Sequence, residues 1–173
     1  MNVVIHELSS AARERGIAGW AVAGVAAVLL EALLRLGAHA LALLSRELDP
    51  AQQLALVASL ALFGYGEGYL VLHRRFARSV VERAFAAPVC RGWRAYAAPL
   101  HAMGLVGVPV RTAMRGWSGV GFVVVAILVV RAMPSPWREI VDAGVAVALL
   151  VGLTSLVARF AVRFRDPVDP KVR

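Results

Sequence analysis

The sequence predicts an all-α integral membrane protein with four transmembrane helices. Of its 173 residues, 60% are hydrophobic and only 17% are charged, whereas about a quarter of the residues in soluble domains are charged. The apolar residues form long blocks, and a helix needs about 20 such residues to cross a bilayer. Basic residues collect between alternate blocks, as they do on the cytoplasmic side of membrane proteins.

We expect one membrane domain that contains all four spans. A basic insert and a basic tail complete the chain. The predicted spans are 17–44, 50–72, 117–133 and 138–158, the insert is 73–116, and the tail, expected to be extended or disordered, is 159–173.

The first span is interrupted by Glu31 and Arg35. A cleavable signal peptide is an alternative here, because residues 38–40 (Ala-His-Ala) resemble a cleavage site. Glu31 and Arg35 would then lie between the apolar region and the cleavage site, and this arrangement is not typical of a signal peptide. A long, tilted first helix fits better.

The second span begins with a helix-start pattern. Asp49 is placed as N-cap, Pro50 at the first helical position, and Gln52 three residues after the cap. This spacing predicts a capping box.

The insert carries an amphipathic arm and a broken apolar segment. Apolar side chains from Phe76 to Phe85 share one helical face, with arginines largely off it. Such an arm is expected on anionic headgroups, and a solvated helix is the alternative. Residues 95–110 are interrupted by Pro99 and Pro109, which indicates an interfacial or re-entrant segment. The headgroup contacts are assigned to Arg74, Arg75, Arg78 and Arg83.

The distribution of basic residues predicts the orientation. In the four-span arrangement only Arg46 and Arg138 lie in the outer connections. Both termini are therefore expected in the cytoplasm. The preference for arginine over lysine is typical of a GC-rich bacterial genome, so we expect a bacterial inner membrane. The net charge of +8 is explained by this topology, and no nucleic-acid partner is predicted. The inner-side basic residues are Arg13, Arg15, Arg74, Arg75, Arg78, Arg83, Arg91, Arg94, Arg111, Arg115, Arg159, Arg163, Arg165, Lys171 and Arg173.

Glu67 is the strongest candidate for function, because it lies inside the second apolar block. Gly64 and Gly68 form a pair of small residues that lets another helix approach closely, and Glu67 is placed near that contact. It must be protonated, paired with arginine or bound to a cation. It either fixes helix packing or serves as a proton or cation site, with Tyr69 and His101 as the other candidates for these roles.

A second polar set is predicted near the outer ends of the spans. Glu31 and Arg35 have the favourable i,i+4 order, and Arg131 is expected to pair with Asp142 or Glu31. A site for an anionic headgroup or a small solute is the alternative. The full set is Glu31, Arg35, Arg131, Glu139 and Asp142.

Small residues also predict helix contacts, either within one bundle or between copies. These contacts are assigned to Gly64, Gly68, Gly144 and Gly152. The single cysteine, Cys90, excludes an intramolecular disulfide. The histidines show no metal-ligand spacing, although His73 and His101 could approach Glu67. No catalytic residue, metal or cofactor is predicted.

Two passages resemble a family of small bacterial, cyanobacterial or plastid membrane proteins. One is Glu67-Gly-Tyr69 followed by Arg75-Phe76 and a Val-Val pair, and the other runs from Pro136-Trp137 to Asp142-Ala-Gly144. The resemblance covers about residues 64–150 and implies a four-helix membrane fold. It implies no activity, and His73 departs from the family pattern.

Three functions are compatible with these observations. The first is a non-enzymatic membrane protein that acts through helix packing, as a homo-oligomer or as a subunit of a membrane assembly. The second is a proton or small-ion channel or carrier that uses Glu67. The third and weakest is a metal-dependent or lipid-modifying membrane enzyme.

Overall fold

The computed structural model describes residues 2–86 and 95–165, with side chains from residue 12 onward apart from that of residue 44. Of these residues 88% are helical and none forms a strand. The helices are α1 (Asn2–Ala42), a 3₁₀ turn (Leu43–Ser45), α2 (Pro50–Ala61), a π-helical segment (Leu62–Phe76), α3 (Ala77–Ala86), α4 (Ala98–Ala102), α5 (Val110–Arg131) and α6 (Trp137–Arg165).

Four helices in the described ranges are long and apolar enough to cross a membrane, which confirms the predicted fold class. They are Ala12–Ala42, Pro50–Ala86, Val110–Arg131 and Trp137–Arg165. The second of these is one continuous helix made of α2, the π-helical segment and α3, and we call it the rod.

The helices exceed the predicted spans. The helix of the third span begins at Val110 instead of residue 117, and α6 continues to Arg165 through a stretch expected to be extended. Phe160 explains this continuation, because its ring lies 5.9 Å from that of Phe85 on α3. The rest of the predicted tail, 166–173, lies outside the described residues.

The start of α2 has the predicted capping box. The Gln52 backbone N–H donates to Asp49 Oδ1 at 2.7 Å, and the Asp49 backbone N–H donates to Gln52 Oε1 at 3.2 Å. Two backbone donors at the helix start are thereby satisfied, which confirms the predicted pattern.

α6 is the central helix, and α1 and the rod both pack on it. His39 of α1 contacts Asp142, and Gly19 lies opposite Phe160; α1 is therefore antiparallel to α6. Ser59 contacts Ile140 and His73 contacts Ser155, so the rod runs parallel to α6. We call the end with the connections 43–49 and 132–136 the turn end, and the opposite end the basic end.

Glycines bring the backbones of the rod and α6 close together. A methyl group at Gly144 would lie 2.8 Å from the Ser59 carbonyl oxygen, and one at Gly68 would lie 3.1 Å from the Ala148 Cα. Gly64 faces Val147, and Gly152 faces the Leu72 side chain. All four glycines predicted as helix contacts thus lie between the rod and α6.

The π-helical segment changes which residues face α6. Gly64 and Gly68 contact it, then His73, and the buried Ala77 continues the row. Contacts therefore recur every four to five residues, as expected when the backbone hydrogen bonds join residues five apart. In this geometry Glu67 lies about 115° around the helix from Gly64, instead of about 60° in an α-helix.

The basic end has an apolar core built by α1, α3, α4 and α6. A methyl group at Gly24 on α1 would clash with the Pro99 ring of α4 at 2.6 Å. Arg83 Nη1 donates to the Ala102 carbonyl at the end of α4 at 2.8 Å, where a cation also complements the helix dipole. The core comprises Ala18, Ala21, Val22, Val25, Ala77, Val80, Val81, Ala84, Ala98, Ala102 and Leu156.

The apolar face of the predicted arm is thus buried in the bundle, and the arm itself forms the last part of the rod. Phe76 and Phe85 pack against this core. Arg74, Arg75 and Arg78 remain exposed.

α5 stands largely apart from this bundle. None of its residues is buried, and its contacts with α6 are few. Near the basic end it approaches the loop after α4, because a methyl group at Gly116 would lie 2.8 Å from the Gly104 carbonyl oxygen. Most of α5 therefore presents its side chains to the surroundings on every face.

The glycine contacts generate a stability prediction. Gly144→Ala places a methyl group against the Ser59 backbone and should destabilise the bundle by about 1–3 kcal/mol, the usual cost of overpacking. Gly121→Ala is the matched control, because nothing lies within 4 Å of the added methyl group. Thermal unfolding in detergent should show a lower midpoint for the first variant only. Equal midpoints would contradict the close approach at Gly144.

Candidate functional site

A polar cluster at the turn end joins α1 to the start of α6. The Asp142 side chain is only 6% exposed. Its Oδ2 lies 3.1 Å from His39 Nδ1 and 3.8 Å from Arg138 Nε. A buried carboxylate is costly unless it is paired, so these two partners stabilise the contact between α1 and α6.

A second group of this cluster fixes the turn before α6. The Ser135 hydroxyl donates to Glu139 Oε1 at 2.9 Å and accepts a hydrogen bond from Arg46 Nη1. Arg46 also lies 3.8 Å from Glu139 Oε1. The other oxygen, Glu139 Oε2, is buried and has no hydrogen-bond partner among the described residues.

The predicted outer set is therefore divided in the structure. Glu31 and Arg35 form an ion pair with each other at 2.5 Å, and both are exposed on α1. Glu139 and Asp142 belong to the cluster. Arg131 is exposed and forms no ion pair within 2–86 and 95–165, and Asp142 pairs with His39 and Arg138 instead.

Sequence reasoning missed His39 as a member of the cluster. The available signal is its spacing, because it lies four residues after Arg35 and eight after Glu31 on the same helix. Residues four apart share a helix face. The pairing with Asp142, 103 positions away, depends on how α1 packs on α6.

Glu67 lies on the exposed surface of the rod. It forms no hydrogen bond or ion pair with any residue that the structure describes. Beside it, Gly64 and Gly68 turn inward to α6, while Glu67 turns outward because of the wider π-helical turn. The carboxylate therefore lies next to the helix contact and not within it.

An aromatic row follows the rod beside Glu67. The rings of Tyr65 and Tyr69 are stacked with centroids 5.9 Å apart, and those of Tyr69 and His73 with centroids 5.2 Å apart. The candidate Tyr69 is therefore the middle of this row. It holds the His73 ring face to face at the point where basic residues begin.

Ser155 of α6 makes two short polar contacts. Its hydroxyl lies 2.5 Å from the Val151 carbonyl oxygen of its own helix, and its Oγ lies 2.7 Å from His73 Nδ1. The His73 ring is thereby held against α6.

His101 is engaged in its own loop. Its Nδ1 lies 3.0 Å from the Val106 carbonyl oxygen and donates to it. Gly107 follows with φ +70, and a methyl group there would lie 3.2 Å from His101 Nδ1. His101 and His73 are thus not joined to Glu67. The described residues contain no group of three His, Cys, Asp or Glu side chains placed to hold a metal ion.

An open apolar groove of about 810 Å³ lies between the rod and α6 towards the turn end. Small side chains of α2 form part of its lining, and Tyr65 and Trp137 are among its larger residues. Its surface is almost entirely apolar, so it fits an acyl chain or a helix face and not a polar substrate.

The buried carboxylate of the cluster leads to a prediction. His39→Ala removes the nearest partner of Asp142 and should destabilise the protein by about 1–3 kcal/mol, as expected for a buried charged group that loses a hydrogen bond. Arg78→Ala is the control, because its pair with Glu82 is exposed and exposed ion pairs contribute little to stability. Thermal unfolding should give a lower midpoint for His39→Ala than for Arg78→Ala. A His39→Ala variant with the midpoint of the parent chain would contradict the prediction.

Comparison with protein-family models, curated proteins and solved structures finds no match to this chain.

Proposed function

We propose that this chain is a small, non-enzymatic multi-pass membrane protein that acts through helix packing, as a homo-oligomer or as a subunit of a larger membrane assembly. The observation that carries this proposal is the outward position of Glu67 on an apolar span, with no partner among the described residues. An unpaired carboxylate in hydrocarbon costs several kcal/mol, so it is usually paired or turned to a protein interior. A neighbouring protein surface would supply that interior.

The exposed surfaces of α5 and the rod support the same conclusion. α5 has no buried residue, and the groove beside α2 is open and apolar. Helices in membranes associate through close van der Waals packing and interhelical hydrogen bonds. Both features provide room for further helices, whether these come from another copy or from another protein.

The oligomeric state tests this proposal. In lipid nanodiscs and mild detergent we expect a particle larger than the 18.5 kDa monomer, measured by light scattering or native mass spectrometry. Glu67→Gln should raise the dissociation constant roughly three- to eighteenfold, because polar contacts between membrane helices contribute from about 0.6 to 1.7 kcal/mol. Glu82→Gln is the control, since Glu82 is exposed and paired with Arg78.

Two results would contradict the proposal. One is a monomer in both nanodiscs and detergent, with no co-purifying membrane protein. The other is a Glu67→Gln variant whose size and thermal stability both match those of the parent chain.

The alternative is a proton or small-ion channel or carrier that uses Glu67. It is favoured by the same unpaired carboxylate, together with the stacked Tyr65, Tyr69 and His73 rings beside it. The same variant distinguishes the two functions. If Glu67 carries ions, Glu67→Gln in proteoliposomes abolishes proton or cation flux while the oligomer stays intact; unchanged flux rejects the alternative.

The orientation follows from charge. Arg46 and Arg138 lie at the turn end, whereas most other described arginines lie towards the basic end. We therefore place the basic end in the cytoplasm of a bacterial inner membrane, with Arg74, Arg75, Arg78 and Arg83 near anionic headgroups. A fluorescent protein fused after residue 173 should fold and fluoresce, and alkaline phosphatase fused at residue 47 should be active. The reverse pattern would overturn the orientation.

A further inference from the structure

Glu67 lies at the same depth in the bundle as the exposed ion pair on α1. Gly68 packs against Ala148 of α6, and Ala148 lies six residues, about 9 Å, beyond Asp142 along that helix. Asp142 contacts His39, and six residues back along α1 from His39 lies residue 33. Glu67 is therefore level with the midpoint between Glu31 and Arg35.

Depth decides which charged groups can meet between identical copies in a membrane. Copies related by rotation about the membrane normal keep every residue at its own depth. Arg115 and Arg131 lie near opposite ends of α5, one on either side of this level. Arg35 is thus the exposed arginine of the described residues that is closest in depth to Glu67.

The side chains also lean towards one another. Side chains of a helix tilt towards its N-terminus. The rod starts at the turn end, so Glu67 leans towards that end; α1 starts at the basic end, so Arg35 leans back towards the level of Glu67. Arg35 donates to Glu31 through Nη2, and a guanidinium with five N–H donors has others to offer.

Glu67 and Arg35 of one chain are not brought together by the fold. α1 and the π-helical segment both pack on α6, but contacts between these two elements are at most sparse. Both residues are exposed, and the Arg35 side chain is 75% exposed. A partner at the required depth is therefore available on the next copy.

We propose that Glu67 of one copy pairs with Arg35 of the next, so that the rod of each protomer packs on α1 of its neighbour. This inference rests on the proposed oligomeric function and specifies its interface. The two surfaces are different, so the contact is head-to-tail, and it closes into a ring when the rotation between copies about the membrane normal divides a full turn. Glu67 then accepts hydrogen bonds from a guanidinium and no longer faces lipid.

Disulfide crosslinking between two differently tagged chains tests this interface. Both chains carry Cys90→Ser, one with Glu67→Cys and the other with Arg35→Cys, and they are co-expressed in the same membrane. Each chain has one cysteine, so no link can form within a chain. Copper-phenanthroline oxidation should give the mixed dimer as the main product. Leu54→Cys replaces Glu67→Cys as the control, because Leu54 is exposed but lies near the turn end.

The outcomes separate the interface from the proposed function. A mixed dimer that exceeds both self-linked products several-fold supports the head-to-tail contact. Crosslinking mainly between two chains with Glu67→Cys, or equally with the Leu54 control, overturns it. A particle of oligomeric size without the mixed link also overturns the interface but leaves the oligomer in place, whereas a monomeric particle rejects the proposed function itself.

A double-mutant cycle provides a measurement without cysteines. Glu67→Gln and Arg35→Gln should each raise the dissociation constant of the oligomer, and the double variant should be no weaker than either single variant, because the two changes remove one interaction. Strictly multiplicative effects would show that the residues act independently and would contradict the pair.

Discussion

The fold depends on the close approach of two backbones, those of the rod and α6. Gly144 and Gly68 remove the side chains that would keep these helices apart, and Ser59 fills the remaining space by donating to the Ile140 carbonyl. In a bilayer the hydrophobic effect does not drive helices together, so such packing and hydrogen bonding must do so. The positions of Glu67, His73 and the groove all follow from this contact.

Local signals in the sequence predicted local structure well. The Asp49 cap is recognised from four consecutive residues. The membrane spans are recognised from long apolar blocks, without knowledge of which helices pack against them. The ion pair between Glu31 and Arg35 is also local, because its members are four apart on one helix. In each case the interacting groups are fixed by chain geometry alone.

The face on which Glu67 lies could not be predicted in the same way. A period of 3.6 residues places it beside Gly64, whereas the π-helical segment turns it outward. The pairing of His39 with Asp142 and the burial of the α3 apolar face also depend on tertiary packing. A buried arm and a membrane-surface arm have the same amphipathic pattern, and only the presence of α1 and α4 decides between them.

The central place of α6 has a consequence for how the protein is made. α1 and the rod precede α6 in the chain, yet each makes its most extensive contact with α6. During synthesis these helices enter the bilayer before their shared neighbour exists, and each must persist there as an independent span. Assembly of the full bundle therefore waits for the emergence of α6, and a ribosome stalled before residue 137 would leave only the contacts that α1, α3 and α4 make with one another at the basic end.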